Sequence, residues 1–90
     1  AGRFMVRKTI ILTDIEGMHA RNCAKVSTLC KKSIVRVSIS SGGKTADGRD
    51  IMELMALGAL YRDELTLEAI GPGEEEMIAA LERALNGTSV

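Results

Sequence analysis

The sequence predicts an α+β fold in which helices cover one face of a mainly antiparallel sheet. Two patterns lead to this prediction: short segments of alternating apolar and polar residues, typical of half-buried strands, and longer segments with apolar residues at helical spacing. Along the chain they follow the order β-α-β-β-α-β-α. The chain has 90 residues, of which 46% are hydrophobic and only 2% aromatic. We therefore expect one domain, residues 1–90, with a small aliphatic core.

The first strand is predicted from Phe4 to Thr13, where apolar and polar residues alternate. Residues 1–4 precede the clearest part of the pattern and are interpreted as either a native extension or a remnant of expression. The loop Asp14–Gly17 then leads into the first helix.

The first helix is predicted to begin with His19 as its N-cap residue, so that Met18 and Cys23 occupy the two positions of a hydrophobic staple. Lys31 and Lys32 then lie at the C-terminal end, where the helix dipole favours cations. The helical repeat consists of small or apolar residues: Ala20, Cys23, Ala24, Val26, Ser27 and Cys30.

A β-hairpin is predicted next. The β-branched run Ile34–Ile39 indicates the second strand, and a short third strand, Lys44–Ala46, should pair back onto it. The connecting segment Ser40–Gly43 ends in two glycines, which adopt the positive φ that tight hairpins require.

The second helix is predicted to start at Asp50, which is followed three residues later by Glu53 in the form of a capping box. Gly58 is its expected C′ residue. The helix is too apolar to be buried along one stripe only, so some of Ile51, Met52 and Met55 should face water or a partner.

The fourth strand is predicted at Leu65–Ile70, and the turn Gly71–Gly73 leads into the last helix. Residues Glu74–Glu76 complement the dipole at the start of that helix, and Asn86–Gly87 ends it. Its predicted buried stripe consists of Met77, Ile78, Leu81, Ala84 and Leu85.

The balance of charges indicates which kinds of partner the protein has. Twelve basic and twelve acidic residues give a formal net charge of zero, which argues against the positive footprint of a nucleic-acid-binding protein and suits a protein partner better. No apolar run approaches the roughly 20 residues that cross a bilayer. We therefore expect a soluble, cytoplasmic protein without membrane insertion, and nothing in the sequence requires more than a monomer.

The five residues Gly17–Arg21 contain the only histidine of the chain, at the predicted start of a helix. The first N–H groups of a helix have no partner within it and carry partial positive charge, so they can hold a phosphate. Arg21 adds a guanidinium fork suited to phosphate oxygens. Because an imidazole is mostly neutral near pH 7, a ring nitrogen of His19 keeps a lone pair for attack on phosphorus. The stretch could therefore form and hold a phosphohistidine.

The two cysteines do not indicate a disulfide or a metal centre. Cys23 and Cys30 are seven residues apart, roughly 10.5 Å along a helix, which is too far for a disulfide. His19 and Cys23 could share an ion, but Cys30 lies two turns further on and no second histidine completes a tetrahedral set. We expect neither a metal nor a cofactor, and we interpret both cysteines as small buried hydrophobes.

With these motifs the chain resembles the HPr family, the histidine-containing phosphocarriers of the bacterial phosphotransferase system. The resemblance covers nearly the whole chain and rests on three segments in the same order and spacing: Gly17–Arg21, Arg49–Gly58 and Ala69–Glu76. The Gly-Met-His-Ala-Arg spelling and the Gly-Pro-x-Glu-Glu-Glu turn are somewhat closer to the nitrogen-related branch, NPr. The resemblance implies an open-faced β-sandwich, with a four-stranded sheet covered on one face by three helices.

The resemblance also implies roles for individual residues. His19 would accept a phosphoryl group on Nδ1 from enzyme I, itself charged by phosphoenolpyruvate, and pass it to an EIIA-type domain. Arg21 would assist, and the amides after His19, at Ala20, Arg21 and Asn22, would hold the phosphate. Docking of both partners would use a hydrophobic patch: Ala20, Ile51, Met52 and Met55. Such a protein is a phosphoryl carrier rather than an enzyme.

Three positions depart from the family pattern. Asn22 replaces a proline, and we hypothesise that its extra amide N–H points toward the phosphate. Glu16 places a carboxylate near the site, which would weaken phosphate binding unless the side chain turns to solvent. Asp50 occupies the position of the family's regulatory serine, so a serine kinase cannot act there; a phosphoserine mimic and a simple N-cap both remain open.

Two alternatives to a phosphocarrier remain. The same patch could belong to a regulatory binding module that controls an enzyme or transcription factor, with phosphorylation only switching its affinity. A metal or thiol redox module would instead depend on Cys23. The acceptor, and the choice between sugar uptake and nitrogen regulation, stay open at this point.

Overall fold

A computed structural model of the protein describes residues 5–86 and 88–90. Its elements are β1 (Met5–Ile11), α1 (Ala20–Lys31), β2 (Arg36–Ser41), β3 (Lys44–Asp47), α2 (Ile51–Ala56), β4 (Glu64–Ile70), α3 (Glu74–Leu85) and β5 (Thr88–Ser89). The predicted order of the first seven elements is confirmed. The expectations for residues 1–4 and for Gly87 fall outside the described residues.

The sheet has the strand order β3-β2-β4-β1-β5, and each neighbouring pair is antiparallel. The four-stranded antiparallel sheet is therefore as predicted. The two-residue strand β5 lengthens it at the β1 edge, where Ile10 and Ile11 pair with Ser89 and Thr88. The prediction did not include β5, because two residues are too few to show an alternating pattern.

The core lies between the sheet and the three helices. Ile10, Ile39, Leu65 and Leu67 are completely buried on the strands, and Leu81 is completely buried on α3. The helix α1 contributes Cys23, Val26, Ser27 and Cys30, while Ala20 and Ala24 face solvent. Within the predicted α3 stripe, Met77, Ile78, Leu81 and Leu85 are buried, but Ala84 is only half-buried.

The opposite face of the sheet is polar. Arg7 donates to Glu68 across the β1–β4 pair, and Ser38 on β2 donates to the same carboxylate. Thr9 and Thr66 share a hydrogen bond two residues further along the same strand pair. Because these side chains satisfy one another or water, this face needs no second layer, and the sheet is covered on one side only.

Local chemistry explains where the elements begin and end. The β2 strand starts at Arg36 rather than at Ile34, because the Ser33 hydroxyl accepts the Val35 N–H in a local turn and Ile34 is left exposed. The β2–β3 hairpin turns on Gly42 and Gly43, which both have positive φ.

The N-terminus of α2 confirms one half of its prediction and corrects the other. Asp50 is the N-cap, with its Oδ1 accepting the N–H groups of Met52 and Glu53 at 3.0 and 3.1 Å. The reciprocal bond of a capping box is absent from this pair. Glu53 instead accepts the N–H of Asp47 at 2.8 Å and so links α2 to the end of β3.

None of the helices in the described part of the chain is both long and apolar enough to span a bilayer.

Candidate functional site

His19 is the N-cap residue of α1, as the sequence predicts. Its backbone is extended, with φ −89° and ψ 176°, and its Nδ1 accepts the N–H of Arg21 at 3.2 Å. Met18 and Cys23, the two predicted staple residues, are both buried, and the Cys23 thiol lies 3.8 Å from the Met18 carbonyl oxygen. The imidazole is therefore held at the helix N-terminus through its Nδ1 side.

Gly17 fixes the loop that delivers the histidine. Its φ is +72°, and a Cβ built at this position would lie 2.5 Å from the Ala59 carbonyl oxygen. That same carbonyl accepts the Met18 N–H at 2.9 Å. The loop thus lies directly on the segment that follows α2, and only glycine fits there.

Asp14 and Asn22 hold the other side of the ring. The Asp14 Oδ2 lies 3.1 Å from the His19 Nε2 and accepts the Asn22 Nδ2–H at 3.0 Å. The Asp14 Oδ1 accepts the N–H of Glu16 at 2.9 Å. The Asn22 amide is 2% exposed and also donates to the Gly17 carbonyl at 3.1 Å. One buried amide therefore ties the loop, the carboxylate and the helix together.

These hydrogen bonds lower the pKa of Asp14 to about 2. The N–H of Glu16 has the largest effect, followed by the Asn22 amide and the His19 ring. Asp14 is consequently a carboxylate at any pH near neutrality.

Sequence reasoning missed Asp14 and assigned only a backbone role to Asn22. An Asp followed two residues later by a free backbone N–H is a common Asx turn, so the Asp14–Glu16 bond could have been anticipated. The meeting of Asp14, His19 and Asn22 could not, because it depends on the angle at which the loop enters α1.

Arg21 and Glu16 both approach the Nε2 side of the ring. An Arg21 Nη2 lies 3.4 Å from the His19 Nε2, and a Glu16 carboxylate oxygen lies 3.6 Å from it. Glu16 is mostly exposed, but its carboxylate still lies near the ring, so the side chain has turned to solvent only in part. Asp14, Glu16 and His19 are the described residues whose ligand atoms, all within 4.8 Å of one another, could together approach a cation.

The first turn of α1 carries no acidic residue. Cys23 is the first residue of this helix whose N–H bonds to a carbonyl four residues back, that of His19, at 3.0 Å. The amides of Ala20 and Asn22 precede it and have no such carbonyl within the helix. The positive end of the α1 dipole is therefore left without a neutralising carboxylate in its own first turn.

Exposed apolar side chains lie on α2 and on the neighbouring loops. Met52 is 74% exposed and Met55 41%, as predicted, whereas Ile51 is partly buried. Sequence reasoning missed Ile15 and Leu60, which are 80% and 66% exposed. Both belong to the loops that meet at Gly17. No strand or helix pattern includes them, so only the structure identifies them as surface residues.

Both cysteine thiols lie in α1 and are buried. Burial raises the pKa of both, that of Cys30 to about 11, with a further contribution from the Asp47 carboxylate. Because the thiolate is the reactive form of cysteine, burial disfavours reaction at either thiol. The structure thus favours the interpretation of Cys23 and Cys30 as core residues.

Comparison with known proteins agrees with this architecture. Residues 6–87 match the family model described as the PTS HPr component phosphorylation site. The chain is 37% identical over 75 residues to the phosphocarrier protein HPr of Cupriavidus necator, covering 83% of each chain. It is 31% identical over 77 residues to the phosphocarrier protein NPr of Escherichia coli strain K12, covering 84% of this chain and 86% of that one.

A crystal structure of the phosphocarrier protein HPr from Bacillus anthracis superposes with a TM-score of 0.84 at 26% identity, over 90% of this chain and 96% of that one. The fold and these matches define a small phosphocarrier of the phosphotransferase system. The chain belongs to the HPr family. The resemblance that its motifs indicate is thereby confirmed, and both the HPr and NPr branches are among its relatives.

Proposed function

We propose that His19 accepts a phosphoryl group from phosphoenolpyruvate-charged enzyme I and passes it to an EIIA-type domain. One observation carries this proposal: the His19 Nδ1 accepts a hydrogen bond from the Arg21 N–H at 3.2 Å. A nitrogen that accepts a hydrogen bond has a lone pair, and this one faces the positive end of α1. The nucleophile and the site for the incoming anion are thus adjacent.

The same hydrogen bond gives the phosphate its first ligand. When Nδ1 bonds to phosphorus, its lone pair is used and the Arg21 N–H loses its acceptor. That N–H is then free to donate to a phosphoryl oxygen, together with the first-turn amides of Ala20 and Asn22. The Arg21 guanidinium, 3.4 Å from the ring, adds positive charge within reach. Few of these contacts are buried, so the phosphoryl group is held yet stays accessible to an acceptor.

Both partners would dock on the exposed apolar surface beside the site. We include in this docking patch the residues named by the sequence and two added by the structure: Ala20, Ile51, Met52, Met55, Ile15 and Leu60. Methionine side chains adapt to different surfaces, which suits a carrier that must bind a donor and an acceptor in turn. The Asp50 carboxylate caps α2, and this structural role is sufficient to explain an aspartate at the position.

Intact-mass spectrometry tests the carrier function. The protein is incubated with phosphoenolpyruvate, magnesium and the enzyme I of the same organism, with His19→Ala as the control. We expect the gain of one acid-labile phosphoryl group in the native protein and none in the variant. No gain in the native protein would overturn the proposal.

Transfer onward identifies the pathway. The phosphorylated protein is mixed with EIIA-type domains of sugar-transport and nitrogen-related type, and loss of the phosphoryl group is followed with time.

Met52→Glu tests the docking patch and should slow both phosphorylation and delivery by blocking docking. If Met52→Glu instead abolishes the regulation of a target while His19→Ala still regulates it, the protein is a binding module and not a carrier.

A further inference from the structure

We propose that Asp14 is a positioning residue for phosphoryl transfer, because its carboxylate holds His19 in the Nε2–H tautomer and faces the positive charge that the ring gains on phosphorylation. The inference rests on the proposed function of His19 as the phosphoryl acceptor. It adds the residue that keeps the reacting nitrogen free of a proton.

The two ring nitrogens have different partners, and together these decide the tautomer. Nδ1 faces a backbone N–H, that of Arg21 at 3.2 Å, so it must carry the lone pair. Nε2 faces the Asp14 Oδ2 at 3.1 Å. Because a carboxylate can only accept, Nε2 must carry the proton. A neutral imidazole with this arrangement has Nδ1 ready to attack.

Other charged groups near Nε2 do not change this assignment. The Arg21 guanidinium could donate only to an unprotonated Nε2, and its Nη2 is further away, at 3.4 Å. In that state the lone pairs of Nε2 and of the Asp14 carboxylate would face each other at 3.1 Å. Glu16, at 3.6 Å and mostly exposed, is an acceptor and favours the same tautomer more weakly.

Asp14 is itself held in place from three sides. Its Oδ1 accepts the Glu16 N–H, and its Oδ2 accepts the Asn22 amide in addition to the ring contact. Asn22 is buried, so rotation of the Asp14 side chain would leave a buried donor without its acceptor. The low pKa of Asp14, about 2, keeps the group ionised throughout the neutral range.

The transfer step balances without any proton movement. The Nδ1 lone pair forms the bond to phosphorus, while the bond between phosphorus and the donor's leaving group breaks and its electron pair departs with the donor. Nε2 keeps its proton, and the ring becomes cationic next to the Asp14 carboxylate. In delivery, the Nδ1–P bond breaks and its electron pair returns to Nδ1. From the other tautomer, Nδ1 would first have to lose a proton.

The test uses the isosteric variant Asp14→Asn. The substitution leaves one acceptor oxygen for three donors: the Glu16 N–H, the Asn22 amide and the His19 Nε2–H. If that oxygen keeps the Glu16 bond, an NH₂ group faces Nε2 and favours the opposite tautomer. The chain has only one histidine, so ¹⁵N–¹H correlation spectra of the imidazole report the tautomer of this residue alone.

We expect the native protein to show the Nε2–H form and Asp14→Asn to show a substantial Nδ1–H population. The variant should also have at least fivefold lower kcat for phosphorylation by enzyme I, with little change in KM. Glu16→Gln is the control for the tautomer, since it neutralises the neighbouring carboxylate but leaves the Asp14 contacts in place; it should keep the native Nε2–H form. Glu75→Gln, which neutralises an exposed carboxylate of α3, is the control for charge and should keep kcat within about twofold.

Two results would overturn the inference: an Nδ1–H tautomer in the native protein, or native tautomer and kcat in a folded Asp14→Asn variant. The first needs no variant, so a misfolded substitution cannot hide it. If enzyme I does not phosphorylate the native protein at all, the proposed function fails instead, and the spectra distinguish the two cases because they need no enzyme I.

Discussion

The first turn of α3 carries three carboxylates, Glu74, Glu75 and Glu76, whereas the first turn of α1 carries none. The α3 helix begins at Gly73, which has no side chain to cap it, and Glu74 reaches back to accept the Gly71 N–H at 3.0 Å. Its own sequence thus neutralises the positive end of the dipole. In α1 the cap is the His19 imidazole, and the nearest carboxylates belong to the preceding loop.

This difference indicates what each helix terminus does. At α3 the carboxylates stabilise the helix and would repel an incoming anion. At α1 no carboxylate competes for the first-turn amides of Ala20 and Asn22, and the carboxylate of Asp14 is directed to the far nitrogen of the ring, away from Nδ1. In the proposed function, the α1 terminus thus lacks a stabilising charge so that a phosphoryl group can bind there.

The largest effect is expected from Gly17→Ala. An alanine would be strained at the positive φ of this position, and its Cβ would lie 2.5 Å from the Ala59 carbonyl oxygen. The free energy of unfolding should therefore fall by about 3 kcal/mol. Gly58→Ala is the matched control: its φ is also positive, but no heavy atom lies within 4 Å of the new Cβ. Denaturant unfolding should show about 1 kcal/mol for the control. Equal losses would mean that the loop contact at Ala59 contributes nothing.

Asn22 gives the next largest effect. Asn22→Ala removes the buried amide that binds Asp14 and the Gly17 carbonyl, and should destabilise the protein by about 2 kcal/mol. Asn22→Pro loses the same side chain and also the backbone N–H. If that N–H points toward the phosphate, as hypothesised, the phosphohistidine lifetimes of the two variants will differ. Equal lifetimes, measured by intact mass over time, would remove the hypothesis.

Ala20→Glu makes the start of α1 resemble that of α3. The added carboxylate should raise stability by about 0.5 kcal/mol through the helix dipole. It should also slow phosphorylation by enzyme I about fivefold, because it repels the phosphoryl group. Ala24→Glu changes the net charge equally, outside the first turn, and should do neither. An unchanged or faster rate in Ala20→Glu would show that the bare α1 terminus has no role in phosphate binding.

The smallest effect concerns acid stability. The pKa of Asp14 is about 2 in the folded protein and near 3.8 in an unfolded chain, so its contribution to stability is complete above about pH 4. The contribution is lost as pH falls through about 2. The difference in free energy of unfolding between the native protein and Asp14→Asn should therefore shrink over this range. A difference that stays constant with pH would show that Asp14 is not held as a carboxylate by these contacts.

The fold was largely predictable from local patterns. The alternation in β4 and the apolar spacing of α3 each repeat often enough within one element to be recognised without knowing what packs against it. The two-residue β5 lacks such repetition, and so does the link from Glu53 to Asp47, which depends on where β3 ends relative to α2. The start of β2 was misplaced because a single serine hydroxyl decides it.

At the site, local spacing predicts the N-cap position of His19 and the exposed methionines of α2, and the order of residues alone leaves the first turn of α1 without a carboxylate. These follow from local spacing and from the dipole that every helix has. In contrast, the meeting of Asp14 and Asn22 at the imidazole, and the exposure of Ile15 and Leu60 on the adjoining loops, depend on packing between distant segments. The physical reason is that these contacts arise where the loop before α1 packs on the segment after α2, a contact fixed by Gly17 and Ala59, about 40 residues apart in sequence.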